Sequence, residues 1–435
     1  MLKNLDNQLM KKDKRILEKI ATLLDVHYKS QKAEFVPGKT TIPLISPSYG
    51  KEEVVEAIES MISTWVTMGG KVRSFEESFA KYIGTKYAVM VNSGSSANLL
   101  ALSVLSHPEV RKIQRGDEII TPAVTWATTV YPIVNVGAKP VFIDVDADTY
   151  TLNTDSLESA ISKKTSALMP VHLLGNPCDM NRLTKVVKKH DLVMIEDTCE
   201  AHGAEFNGKK VGSFGDMSTF SFFMSHHITT IEGGMLLTNN KKYYELAKSM
   251  RAFGWIRDLE DKKKIIKQNK MIDDRFLFIN LGFNMRPTEL QGAFGIHQIK
   301  KLDKFIKIRR ENAKYWHKRF HDLRDVFILP KENSGTIHSY FCYPLTIRED
   351  ASFSRTEIVK FLGTRKIETR PIMAGNMVEQ PVTKLLDCRI HKDLKNARLI
   401  MRNGFFFGNH QDVKESQREY IADSILEFIN MKTRR

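Results

Sequence analysis

The chain has 435 residues, 42% apolar and 27% charged, enough for a large buried core divided among two or three domains. No apolar run reaches the roughly 20 residues of a membrane-spanning helix, and the first residues lack the apolar segment of a secretory leader, so a cytoplasmic enzyme is expected. The formal charge is +15, but the cations are scattered and the densest runs, Lys11–Arg15 and Lys262–Lys270, read as solvated helix faces rather than a nucleic-acid site.

Residues 1–50 read as an N-terminal arm: an amphipathic helix carrying Leu5, Leu9, Ile16 and Ile20 among charges, then the Pro-containing TTIPLISPSYG. From Lys51 the pattern turns helical through EEVVEAIESMISTWV. Strand and helix then alternate. KYAVMVNSG is a strand entering a loop and SSANLLALSVL the following helix, while DEIITPA, PVFIDVD, SALMPVHLL and LVMIEDT are further short apolar runs. Such alternation predicts an α/β body with a mostly parallel sheet and helices on both faces. The charged stretch RDLEDKKKIIKQNKMIDDR is a loop or surface helix. After Leu302 come a long helix, DKFIKIRRENAKYWHKRFHDL, then the strand candidate FCYPLTI and the helix RTEIVKFLG. The expected division is an arm, 1–50, a large ligand-binding α/β domain, 51–301, and a smaller C-terminal domain, 302–435.

The four cysteines, Cys178, Cys199, Cys342 and Cys388, lie far apart, with no C-x-x-C and no adjacent histidine pair. That spacing predicts neither a metal site nor a disulfide framework.

Three elements carry chemistry. In Asn92-Ser93-Gly94-Ser95-Ser96-Ala97-Asn98 a strand gives way to a helix, whose free N–H groups and small hydroxyl side chains make a phosphate cradle. Ser-Gly-Ser turns also serve simply as helix caps. The run Leu192–Asp197 ends in a carboxylate at the sheet edge where open α/β folds bind ligands. It could hold a metal, a ribose or a protonated pyridine nitrogen, or cap a helix. The third element is SFFMSHHITTIEGGM, with Ser221, His226, His227 and Glu232.

In order and spacing these elements resemble the DegT-type family of sugar-nucleotide aminotransferases and dehydratases, which have the aspartate aminotransferase (type I pyridoxal-phosphate transferase) fold. Trp126 in PAVTWATTV, EDTCEAHGAEFNGKKVGSFGD and Asn284 in LGFNMRPTELQGAFG carry the resemblance as well, from about Lys51 to near the C-terminus. It implies a mostly parallel mixed sheet, a smaller C-terminal α+β domain, and a homodimer with shared active sites. The implied cofactor is pyridoxal or pyridoxamine phosphate.

At the position of His226 the family usually carries the lysine that forms a Schiff base with the cofactor. Imidazole cannot form that bond, and the departure resembles a small histidine-bearing branch, the 4-keto-6-deoxysugar 3-dehydratases. The resemblance implies that His226 is the catalytic base, working on the amine form of the cofactor; an unperturbed histidine pKa near 6.5 suits that task. Asp197 would pair with the pyridine nitrogen and Trp126 stack on the ring. Gly94, Ser95 and Ser221 would hold the phosphate, joined by Asn284 of a second subunit. Glu200 would lie beside the cofactor, and Arg370, in IETRPIMAGN, would meet a carboxylate or diphosphate. The plainer alternatives are a core aromatic for Trp126, a helix first-turn charge for Glu200, a surface ion pair for Arg370, and local hydrogen bonding for His227.

One arm of that branch uses a [2Fe–2S] cluster and a partner reductase. The overall length, AEFVPGKTTIP and the AGN after Arg370 look closer to it, yet Leu236–Leu281, where its cysteines belong, contains none. No iron–sulfur cluster and no metal are therefore expected. The remaining route takes a nucleotide-linked 4-keto-6-deoxyhexose to a 4-keto-3,6-dideoxysugar, with ammonia lost and L-glutamate restoring the amine cofactor. An aminotransferase acting on another keto sugar and a non-catalytic cofactor-binding protein are the competing readings. No short motif reads guanine against cytosine, and none fixes the sugar stereochemistry.

Overall fold

The computed structural model describes residues 2–30 and 34–433. Its fifteen strands in chain order are β1 (Tyr87–Val91), β2 (Glu118–Pro122), β3 (Lys139–Ile143), β4 (Thr165–Leu168), β5 (Val193–Asp197), β6 (Glu205–Phe206), β7 (Lys209–Lys210), β8 (Met217–Ser221), β9 (Gly234–Thr238), β10 (Phe327–Ile328), β11 (Thr336–Ile337), β12 (Tyr343–Ile347), β13 (Thr369–Pro371), β14 (Arg389–Ile390) and β15 (Gly404–Phe407).

Eight of them form one sheet in the order β1-β9-β8-β5-β4-β2-β3-β14. Only β9 runs against its neighbours, pairing antiparallel with both β1 and β8. The other pairings are parallel. Residues of β1 explain the arrangement: Val89 and Val91 join one apolar cluster with the helix Gly94–Ser106. Ala88 and Met90 join another with Phe75 and Phe79 of the helix Gly70–Ile83. Successive strand side chains face opposite ways, so a strand covered on both sides must be apolar throughout. Burying each of the larger side chains contributes about 1.5–3 kcal/mol.

The helix Leu302–Arg319 leads into an antiparallel sheet, β10-β12-β15-β13, packed around Trp316, Phe320, Tyr343, Phe405 and Phe407. β14, although it follows residue 302, extends the edge of the large sheet on β3. β11 pairs with the small hairpin β6–β7.

The arm holds a continuous helix, Leu2–Ser30, tied to the body by Asp25 and Lys51 at 2.8 Å. Ile16 is exposed and Ile20 half-buried, while the side chains of Leu5 and Leu9 lie outside the described residues. The helix after Lys51 is shorter than its sequence pattern suggests. It stops at Ile62, because Thr64 adopts a left-handed backbone (φ +60°), and Trp65 and Val66 are left exposed. The charged stretch contains a surface helix, Lys262–Gln268, with no fully buried side chain. Among the described residues no helix is long and apolar enough to cross a membrane.

Candidate active site

Because β1, β2, β5 and β8 all point the same way, their C-terminal ends share one edge of the sheet, where ligands of open α/β folds bind. At the end of β1, Ser93 caps the helix Gly94–Ser106, its hydroxyl accepting the Ser96 amide at 3.1 Å. The next turn must pass very close to β8. A Cβ on Gly94 would sit 2.5 Å from that of Ser221, so only glycine lets the helix N-terminus meet the Ser221 hydroxyl. Ser95 is exposed there. Together these groups leave backbone N–H donors and two hydroxyls around one point, the arrangement an anion requires.

Asp197, 5% exposed, closes β5. Its Oδ2 accepts from Asn98 Nδ2 at 3.0 Å and Thr129 Oγ1 at 2.8 Å, and its Oδ1 from the Cys199 amide at 3.2 Å. Asn98 is itself fixed, its Oδ1 accepting from Thr219 Oγ1 at 2.6 Å. The carboxylate is thus locked in orientation while retaining an acceptor site for one more donor. It is an interior carboxylate in a hydrogen-bond network, not a helix cap.

His226 sits in the loop between β8 and β9. Phe222 and Gly233 close that loop (N–H to O, 2.9 Å), and Thr230 donates back to the Phe222 carbonyl at the same distance. The imidazole lines a cavity of about 350 Å³ together with Gly94, Ser95, Trp126, Asp197, Glu200, Ser221 and Arg370. His226 Nδ1 is buried without a partner. Burial, followed by the Arg309 guanidinium, holds this imidazole at about 3. The ordinary value near 6.5 expected from sequence is therefore corrected: the site desolvates the ring, so His226 is neutral throughout the physiological range. Glu200 moves the other way. Burial raises it to about 7, with the Asp197 charge adding to the rise and a hydrogen bond from the Leu174 amide opposing it.

The plainer alternatives fail for three residues. Trp126 is 54% exposed, its ring at the cavity wall and not in the core. Glu200 lies in a turn, outside any helix. Arg370 is exposed on the cavity wall without a carboxylate partner among the described residues. His227, fully buried, meets the Ser339 carbonyl at 3.0 Å, the local hydrogen bonding expected of it. Asn284 is the exception to the convergence. It is exposed, accepts from Arg286 Nε at 3.1 Å, and does not line the cavity of its own chain.

Sequence reading did not single out Thr129, Cys199, Phe341 or the anchoring role of Asn98. Asn98 and Thr129 did lie inside the motifs NSGSSAN and TWATTV, each one helical turn beyond a site residue, which was the available signal. Phe341 opened the strand candidate FCYPLTI, but nothing in that run pointed to a site, and in the structure it lies just before the strand Tyr343–Ile347.

A phosphate cradle, a fixed carboxylate and a half-exposed aromatic ring around one cavity match the three parts of a vitamin B6 cofactor: phosphate, ring nitrogen and ring face. Fold and site together define a pyridoxal-phosphate-type enzyme of the aspartate aminotransferase fold. The chain belongs to the DegT/DnrJ/EryC1/StrS aminotransferase family, whose model matches residues 47–426. It is 39% identical over 385 residues to GDP-4-keto-6-deoxy-D-mannose 3-dehydratase of Escherichia coli O55:H7, covering 88% of this chain and 98% of that protein. The E. coli GDP-4-keto-6-deoxy-D-mannose 3-dehydratase structure with bound hydrated pyridoxal phosphate superposes with a TM-score of 0.84 at 38% identity, covering 88% of this chain and 98% of the other. A GDP-4-keto-6-deoxymannose 3-dehydratase structure with a trapped pyridoxal phosphate–glutamate geminal diamine gives a TM-score of 0.82 at 39% identity, over 87% of this chain and 99% of the other.

Proposed function

We propose that this chain removes the C3 hydroxyl from a nucleotide-linked 4-keto-6-deoxyhexose, giving a 4-keto-3,6-dideoxysugar for surface polysaccharide synthesis. L-Glutamate restores the amine form of the cofactor. The observation that carries this reading is His226. It lines the cavity shared by Gly94, Ser95, Trp126, Asp197 and Ser221, at the place where covalent anchoring would need an amine.

The bound cofactor supplies an amine for the C4 ketone and a protonated ring that accepts electrons. Gly94, Ser95 and Ser221 would hold its phosphate, Asp197 would pair with the ring nitrogen, and Trp126 would stack on the ring. His226 would serve as the base that moves the proton whose removal lets the C3 hydroxyl leave. Glu200, poised near neutrality, can exchange a proton with the departing oxygen, and Arg370 meets the carboxylate of glutamate or the diphosphate.

Asn284 completes the cradle of a second copy in a homodimer. Its neighbourhood supports this: Phe253, Phe276, Phe278 and Leu281 are large apolar side chains left exposed. The arm 1–50, the body 51–301 and the C-terminal unit 302–435 are the proposed domains, and the cytoplasm, where nucleotide sugars and glutamate are available, is the proposed location. The absence of cysteine in Leu236–Leu281 favours glutamate over a reductase as co-substrate.

Purified protein incubated with pyridoxal phosphate, glutamate and GDP- or CDP-4-keto-6-deoxyhexoses tests the reading. Ammonia release and a product lighter by one oxygen are expected; a stable amino sugar would overturn it. The preferred nucleotide emerges from the same assay.

A further inference from the structure

The helix Leu302–Arg319 carries a buried guanidinium with no counter-ion. Arg309 is 3% exposed, and its Nη1 donates to the carbonyls of Tyr340 at 3.3 Å, Phe341 at 2.7 Å and Asn409. Its Nε has no partner, and among the described residues no carboxylate pairs with it. Burial lowers even this strong base to about 10. Taking an ion out of water without a partner of opposite charge costs several kcal/mol, so such a charge persists only where carbonyl dipoles surround it.

Those carbonyls belong to the wall behind the catalytic histidine. The Phe341 ring lies 5.4 Å from that of His226 and 6.0 Å from that of His227, and His227 holds the Ser339 carbonyl. His202 completes the cluster, 5.9 Å from His226 and 5.5 Å from His227, and is fully buried. Three imidazoles share a desolvated volume, and the Arg309 guanidinium, held by three carbonyls behind Phe341, bears on it as a positive charge. A second positive charge there is disfavoured.

We propose that Arg309 is a positioning residue for proton abstraction: through Tyr340 and Phe341 it holds the wall behind His226, and its unpaired charge keeps that imidazole in its proton-accepting form. This rests on His226 being the base. The groups facing His226 are His202, its loop partners His227 and Glu232, Asp197 at the end of β5, Cys199 and Glu200 after it, and Arg370 of β13. The carboxylates act in the opposite sense, but burial and then Arg309 are what bear on the ring.

The test is a histidine NMR titration of the cofactor-free protein, with the His226 signal assigned through His226→Asn. His226 is expected to stay neutral down to about pH 5. In Arg309→Met its midpoint should rise by about one unit or more, and the acid limb of kcat/KM should move with it, whereas Arg309→Lys should retain the parent behaviour. An unchanged midpoint in a folded Arg309→Met protein overturns the inference. If that variant does not fold, the parent titration decides, and a His226 midpoint near its ordinary value is fatal. The two ideas fail separately: dehydration surviving in His226→Asn sinks the base assignment, while an ordinary titration in an active enzyme sinks only the role of Arg309.

Discussion

Two cavities meet the segment 339–341, and the smaller one is the proposed active site. The larger, about 1210 Å³, is lined by Lys307, Arg310, Lys314, Lys318, Arg324 and Arg348, with Tyr340 on its floor; the smaller, about 350 Å³, has Phe341 on its wall. In the larger, Arg310 meets Glu332 at 3.4 Å and Lys331 meets Asp148 at 3.6 Å, ordinary solvated pairings. In the smaller, burial pushes the Glu200, Cys199 and Glu232 acids up and the His226 base down, and His226 Nδ1 is buried without a partner. Convergence of a phosphate cradle, a fixed carboxylate and a buried imidazole on one cavity marks a site better than volume does.

The largest expected effect breaks the comparison if it fails. His226→Asn should lower the dehydration rate by about 10²- to 10⁴-fold while leaving cofactor binding, followed by absorbance, intact. His226→Lys should also abolish dehydration and let borohydride fix the cofactor to the protein. A variant that dehydrates at the parent rate would remove the smaller cavity from the mechanism.

Next in size is Asp197→Ala, which orphans the Asn98, Thr129 and Cys199 donors. Leaving buried donors unpaired costs about 1–3 kcal/mol each, so a lower melting temperature and loss of the stabilisation normally gained from added cofactor are expected. A variant that still gains the full thermal shift would show that the carboxylate does not face the ring.

A pH series sharpens the contrast further. His226 is at about 3 in the folded protein and near its ordinary 6.5 when unfolded. The unfolded chain therefore binds the extra proton between these values, and the stability linked to neutral His226 is present above pH 6.5 and lost as pH falls. Melting curves between pH 7 and 5 should fall less steeply for His226→Asn than for the parent. Equal slopes would mean that His226 titrates alike in both states.

The smallest effect belongs to the basic groove. Lys314→Glu combined with Lys318→Glu should leave kcat within about twofold, changing at most the salt dependence of kcat/KM through long-range attraction of an anionic substrate. A loss of kcat would promote the groove to part of the site.

The contiguous features were legible in the chain. Strands buried on both faces appear as unbroken apolar runs, and Gly94, Ser95, Asp197 and His226 each stand in a short motif at a strand end. What could not be read is long-range. The low basicity of His226 comes from burial and from Arg309 on a distant helix, and two of the three donors to Asp197, Asn98 and Thr129, come from distant segments. The early end of the helix at Ile62 also escaped the pattern, since apolar Trp65 and Val66 keep the helical spacing without helical backbone.

The lone antiparallel strand has a consequence for how such an enzyme could arise. Because β9 returns directly beside β8, the loop holding His226 begins and ends at the same sheet edge and is sealed by its own backbone bonds. Residue 226 is thus an interchangeable cartridge. A change of one codon replaces the reacting group while the cradle, the carboxylate and the ring contact keep their places, so reaction type can diverge faster than architecture.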